Sequence, residues 1–265
     1  MARLPEGFLA RIFFILDNYG ASMLEGAGKT LLIAFVGTLI GCVIGFLCGI
    51  VKTIPLQKND PVWKKWLLRV VWAVIDIYVE VFRGTPMMVQ AMFIYYGSLL
   101  LLGIDMQFML AAFFIVSINT GTYMAETVRG GILSIDKGQR EAATAIGLTH
   151  WQMMTGVVLP QAVRNVMPAI GNEFIVNIKD SSVLNVISLS ELYFTSKSVA
   201  GTYYRYFEVF FITSMIYLFL TITITRLLSL LEEKMDGPKH YTIHGSQSYS
   251  RADIKVNESE ALPND

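Results

Sequence analysis

From Thr30 to Val51 the chain runs 22 residues without a charge, and between Phe207 and Arg226 it meets only Glu208. A helix needs about 20 apolar residues to cross the hydrocarbon core of a bilayer, so either stretch can span one. Composition agrees: 54% of residues are hydrophobic, mean hydropathy is +0.51, and the charges collect in a few clusters, where a soluble domain would scatter them. The chain is therefore predicted to be an all-α, polytopic membrane protein. Twenty-one basic residues balance 21 acidic ones, with no basic patch, which excludes nucleic acid as a partner.

Five spans are predicted, at Thr30–Val51, Met87–Leu102, Gln107–Val128, about Ala162–Ile178 and Phe207–Leu231. The first carries Gly37, Gly41, Gly45 and Gly49 every fourth residue, a ladder that lets another helix approach to backbone distance. Trp66–Phe82 is apolar enough to cross, but Arg69, Asp76, Glu80 and Arg83 share one helical face, and four ionisable groups facing lipid cost too much. It is read as an interfacial or subunit-facing helix that breaks at Gly84-Thr85-Pro86, with proline suited to the first turn of the next helix. Lys52, Lys58, Lys64, Lys65, Arg69, Arg129, Lys137, Arg140 and Arg164 then fall on the same side as the basic residues beyond Arg226. Positive residues favour the cytoplasm, so the C-terminus is expected inside and the N-terminus outside.

Residues 1–25 are read as an extracytoplasmic or interfacial segment lacking the pattern of a cleaved signal peptide, 26–231 as the transmembrane domain, and 232–265 as a polar cytoplasmic tail expected to be disordered. His240 and His244 stand four apart in that tail without a helical pattern to make them a metal pair. Cys42 and Cys48 have no metal or CxxC spacing and read as small helix-facing residues. Gly26-Ala27-Gly28-Lys29-Thr30 ends like a phosphate-binding loop, but the glycine required at position 23 is Met23 and a membrane span follows. No ATPase site is expected on this chain.

Between the third and fourth spans stand Glu141-Ala142-Ala143, then Gly147, then Val157 and Leu159-Pro160. This spacing resembles the EAA loop of the transmembrane subunits of bacterial ABC importers, with Val157 in place of the family's isoleucine. Physically the loop suits docking. The alanines keep a short helix slim, Gly147 permits a sharp turn, Pro160 can start the next span, and Arg140 and Glu141 offer paired charges at the edge. The expected coupling residues are thus Arg140, Glu141, Ala142, Ala143, Gly147, Leu159 and Pro160, within a loop of about 135–160.

Phe82-Arg83-Gly84-Thr85-Pro86 with Gln90 and Tyr95-Tyr96-Gly97, and Gly171-Asn172-Glu173-Phe174 with Lys179-Asp180-Ser181-Ser182, resemble the polar amino acid uptake subfamily, which includes permeases for histidine, arginine, lysine, glutamine and glutamate. The resemblance covers about residues 26–231 and implies a type I ABC importer transmembrane domain of five helices in the cytoplasmic membrane of a bacterium. It implies as partners a second permease subunit, identical or homologous, a cytosolic ABC ATPase dimer carrying ATP and Mg²⁺, and an extracytoplasmic substrate-binding protein. It also implies that Arg83 holds the substrate carboxylate, and Glu173 with Asp180 its amino or guanidinium groups. The competing reading of these residues is structural, pairing Glu173 with Lys179 or Arg164 and Arg83 with Asp76 or Glu80.

Asn119 and Glu126 add a polar face to the third span, read as hydrogen-bonding to neighbouring helices, while Met87, Met88, Met92 and Met106 read as gap-filling. A membrane enzyme is disfavoured: His150 is the one histidine outside the tail, and no serine sits in a GxSxG turn. The rival that remains is an ion- or proton-coupled carrier using Glu126, Glu173 and Asp180 as a relay.

Overall fold

The computed structural model describes residues 5–58, 60–236, 240–244 and 253–257. They divide into a unit over Met1–Thr225 and a second over Arg226–Asp265. All regular secondary structure among the described residues of the first unit is helical. Its α-helices are α1 (Phe8–Lys52), α2 (Val62–Gly84), α3 (Met87–Leu102), α4 (Phe108–Leu133), α5 (Lys137–Ala145), α6 (His150–Met153), α7 (Leu159–Asp180) and α8 (Leu192–Tyr203), followed by the start of α9 (Tyr206–Asp236). A wider π-helical turn over Met154–Val158 joins α6 to α7, and a 3₁₀ segment over Ser181–Ile187 leaves α7.

α1 begins at Phe8, 22 residues ahead of the expected start of the first span, and runs 45 residues without a break. Asp17, Glu25 and Lys29 lie within this helix, and the fold accommodates the charges. Lys29 pairs with Glu25 one turn away, and Arg11 pairs with Glu208 of α9 at 3.0 Å. Ile15, Met23 and Ala27 are buried in a cluster with Leu192, Val199 and Ala200 of α8 and Val209 and Ile212 of α9. The 1–25 stretch is thus a packed part of the first helix over its described residues.

The glycine ladder performs the close approach expected of it. A methyl added at Gly37, Gly41, Gly45 or Gly49 would come within 3.0 Å of Val116, Thr120, Met124 or Val128, four residues at the same spacing on α4. Below this seam the Asn177 amide of α7 donates to Thr38 Oγ1 at 2.8 Å and Thr120 Oγ1 at 2.9 Å, all three side chains buried. Where water is absent such groups must find partners in the protein.

α2 starts one turn before the predicted segment and buries none of its residues. Its axis and that of α3 differ by 112° across the break. α3 matches the expected Met87–Leu102, with Pro86 in extended backbone immediately before it, not within its first turn, and Gly103 in left-handed backbone after it. Among the described residues three helices are long and apolar enough to cross a membrane, over Phe8–Lys52, Phe108–Leu133 and Tyr206–Lys234, with a fourth if the bent pair α2 with α3 counts as one span. α7 is not among them, because Gln161, Arg164, Asn165, Asn172, Glu173, Asn177, Lys179 and Asp180 make it too polar by composition.

In the second unit, β1 (His240–His244) and β2 (Asp253–Asn257) form an antiparallel ribbon in a tail expected to lack structure, with His240 opposite Asn257 and His244 opposite Asp253. Four residues on a strand span about 13 Å, so the two histidines lack the one-turn proximity a helix would give them.

Candidate functional site

Two regions carry the residues singled out in the sequence. The first is the α5–α6 connection. Asp136 caps α5, its carboxylate accepting from the Gly138 N–H at 2.6 Å. The helix ends at Gly147, whose φ of 82° only glycine adopts without strain. There Leu148 N–H donates to Ala143 O at 3.1 Å and Gly147 N–H to Thr144 O at 3.0 Å, the paired closure of a Schellman turn. Thr149 and Gln152 then form a reciprocal capping box that starts α6. Pro160 is the second residue of α7, directly after the π-helical turn that leads in from α6.

Ala143 is buried, holding α5 to the body, while Glu141, Ala142 and Ala145 are exposed. Arg140 departs from the expectation of a charge offered beside Glu141. Its guanidinium folds back to donate to the Ile132 carbonyl at the end of α4, so it anchors the helix. Two residues that sequence reading passed over stand out on this surface, Ile146 at 78% and Trp151 at 73% exposure. Large apolar side chains flanking a short helix are a sign of a partner surface, and their position just beyond the EAA segment was the available signal.

The second region is a cavity of about 610 Å³ lined by Arg83, Gly84, Thr85, Pro86, Met87, Asn119, Tyr123, Glu173, Val176 and Asp180. All three residues expected to bind substrate are therefore on one cavity, contributed by α2 and α7. The break after α2 supplies its floor of small and extended residues, and α4 supplies Asn119 and Tyr123. Arg83 lies over the Tyr123 ring, 5.4 Å from its centroid, a cation–π contact.

Among the described residues no cation lies within 4.0 Å of the Glu173 or Asp180 carboxylates, and no carboxylate within that distance of Arg83. The pairings of the structural reading are not formed: Asp76 pairs with Lys52 of α1 instead. Glu126 pairs with Arg129 at 3.1 Å and does not line the cavity, which separates it from the other members of a carboxylate relay.

In the scaffold around this cavity Asn119 bonds a neighbouring helix as expected, whereas Tyr78 was passed over in the sequence. Gln90 and Asn119 are hydrogen-bonded to each other at 3.0 Å, and Tyr78 donates to the Ile118 carbonyl at 2.6 Å, tying α2 to α4. Farther off, Glu191 is fully buried as the cap of α8. It accepts from the Tyr193 and Phe194 N–H groups, Thr30 and Tyr217. Burial pushes its carboxyl up and these four donors pull it back. A glutamate three residues after the 3₁₀ turn's left-handed Ser188 had only its capping position to mark it.

Residues 63–237 match the family model described as the binding-protein-dependent transport system inner membrane component. The arginine transport system permease protein ArtQ of Bacillus subtilis is 35% identical over 213 residues, 80% of this chain and 92% of ArtQ. The glutamine transport system permease protein GlnP of Escherichia coli is 37% identical over 215 residues, 80% of this chain and 92% of GlnP. A solved amino acid ABC transporter with histidines shares 35% identity and a TM-score of 0.73, covering 84% of this chain and 98% of that one. The inward-facing MetNI methionine ABC transporter, at 20% identity and a TM-score of 0.66, shares the fold. With two thirds of its length in the family model and close relatives matched almost end to end, the chain belongs to the inner-membrane components of binding-protein-dependent transport systems, the non-catalytic permease subunits of ABC importers.

Proposed function

We propose that this chain is the permease subunit of an ATP-driven importer of polar amino acids, with five spans in a bacterial cytoplasmic membrane, its N-terminus outside and its C-terminus inside. The fourth crossing is α7, whose Glu173 and Asp180 line the cavity and whose Asn177 is hydrogen-bonded to α1 and α4, placements that make polar residues tolerable at membrane depth. In the cavity Arg83 holds the substrate α-carboxylate, and Glu173 with Asp180 receives the cationic end of the substrate. The observation that carries this reading is the convergence of one guanidinium and two carboxylates on a single cavity with no ion pair formed within 4.0 Å by any of the three among the described residues. A cavity of about 610 Å³ also falls in the range of about 300–1,000 Å³ usual for small-molecule sites.

The α5 surface is the docking element for the ATPase subunits, which hold ATP and Mg²⁺. Glu141, Ala142 and Ala143 present the helix, Gly147 ends it, and Leu159-Pro160 joins it to α7, the helix that carries Glu173 and Asp180. A push on α5 therefore reaches the cavity through one continuous stretch of chain, and alternating access follows from closing and separating two such permease subunits. An extracytoplasmic binding protein delivers the substrate.

The test is uptake by proteoliposomes containing the permease with its ATPase and binding protein, using labelled arginine, lysine, histidine, glutamine and glutamate. Uptake that needs ATP and prefers the cationic amino acids supports the assignment. Uptake driven by an ion gradient without the ATPase would refute it.

A further inference from the structure

At the 112° break between α2 and α3 the helix ladder stops, and the carbonyls of the last turn lose their partners. In a membrane such groups cannot turn to water. Gln90, one turn into α3 and 6% exposed, meets them. Its Nε2 donates to Phe82 O and Thr85 O, both at 2.8 Å, and reaches Thr85 Oγ1 at 2.9 Å. Its Oε1 accepts from Asn119 Nδ2 of α4 at 3.0 Å. One buried amide thus closes the break on one side and grips α4 on the other.

The stretch so held is otherwise fixed by the Thr85 hydroxyl donating to Val81 O at 2.8 Å and by Arg83 over the Tyr123 ring. Arg83, Gly84, Thr85 and Pro86 are all exposed, and all line the cavity, as does Asn119. Gln90 itself does not line it. We infer that Gln90 is a positioning residue for substrate binding: it sets the angle at which the broken span presents Arg83 across the cavity from Glu173. The role demands this side chain. A glutamate lacks the amide donors for the two carbonyls, an asparagine is one methylene short, and a leucine leaves carbonyls and Asn119 bare. The inference rests on Arg83 being the substrate's carboxylate ligand.

The test uses the full complex in proteoliposomes and the concentration dependence of uptake of labelled arginine, histidine and glutamine. Gln90→Ala is expected to raise the half-saturating concentration about tenfold, the equivalent of one hydrogen-bonded contact misplaced, while the maximal rate falls less than about twofold. Because Gln90 acts through Arg83, adding Gln90→Ala to Arg83→Ala is expected to cost nothing further. If Arg83→Ala alone transports like wild type, the assignment of Arg83 is wrong. If Arg83→Ala is impaired but Gln90→Ala lowers only the maximal rate, or its effect multiplies with that of Arg83→Ala, the positioning role is overturned and the substrate site stands. Where Gln90→Ala does not assemble, Gln90→Glu and Asn119→Leu break one arm each and are expected to raise the half-saturating concentration. Failure of all three to assemble would make Gln90 a folding residue and overturn the inference.

Discussion

The α1–α4 seam and the cavity share a helix and are built oppositely. On one face of α4, Val116, Thr120, Met124 and Val128 meet the glycine ladder with no room for a methyl, and Asn177, Thr38 and Thr120 are paired in a buried knot beside them, while the Ser117 hydroxyl is buried without a partner. On the adjoining face, Asn119 and Tyr123 look into open space beside an arginine and two carboxylates that form no ion pair within 4.0 Å among the described residues. Close packing and satisfied hydrogen bonds make a rigid spine. Unpaired charge at membrane depth is costly, and a protein keeps it where a ligand supplies the counter-charge. The difference separates what holds this molecule together from what it uses.

The sharpest way to break that comparison is to enlarge a glycine of the seam. Gly45→Ala drives a methyl into Met124 and its backbone and is expected to cost at least about 1–3 kcal/mol, read as loss of monodisperse permease on size exclusion in detergent. Gly20→Ala, in the same helix with open space at its Cβ, is expected to be neutral or stabilising by up to about 1 kcal/mol. Next in size, Asn177→Ala leaves the Thr38 and Thr120 hydroxyls short of a partner. It is expected to lower stability by about 1–3 kcal/mol in a thermal melt of the purified complex.

At the coupling surface, Gly147→Ala forces an L side chain into left-handed backbone at about 1–2 kcal/mol. The expected outcome is reduced copurification of the ATPase with the permease itself intact. Gly147→Asn, which tolerates this backbone better, should retain more of it. The smallest effect belongs to the half-buried Asp60–Lys64 pair at 2.7 Å, four residues apart at the start of α2. The Lys64 ammonium holds the Asp60 carboxyl below its usual value, so whatever the pair contributes is present above the ordinary carboxylate range and lost as pH falls through the lowered one. A single pair four residues apart contributes little, and Asp60→Asn is expected to leave the melting temperature at neutral pH within error.

Local signals carried much of this architecture. Pro86 and Gly103 bracket α3, the four glycines announced their seam, and Gly147 and Pro160 marked the ends of the coupling segment. What escaped depended on contacts distant in sequence. The start of α1 was hidden because it rests on Arg11 finding Glu208 and on the helix packing on α8 and α9. Arg140 looked like a docking charge until it met the Ile132 carbonyl. Arg83, Glu173 and Asp180 could be chosen from a resemblance, but that they share a cavity, and that Gln90 and Tyr123 stand around Arg83, follows only from how α2, α4 and α7 are placed. The paired strands of the tail likewise lie in a segment whose composition gave no periodic signal.

The most direct test of the account is ATP-dependent uptake of a panel of labelled amino acids by the reconstituted complex carrying Glu173→Ala. The account predicts a stable, assembled complex whose uptake of cationic amino acids is lost or its half-saturating concentration raised by about tenfold or more, since one charged contact is removed. Uptake of every amino acid at the wild-type rate and affinity would contradict it.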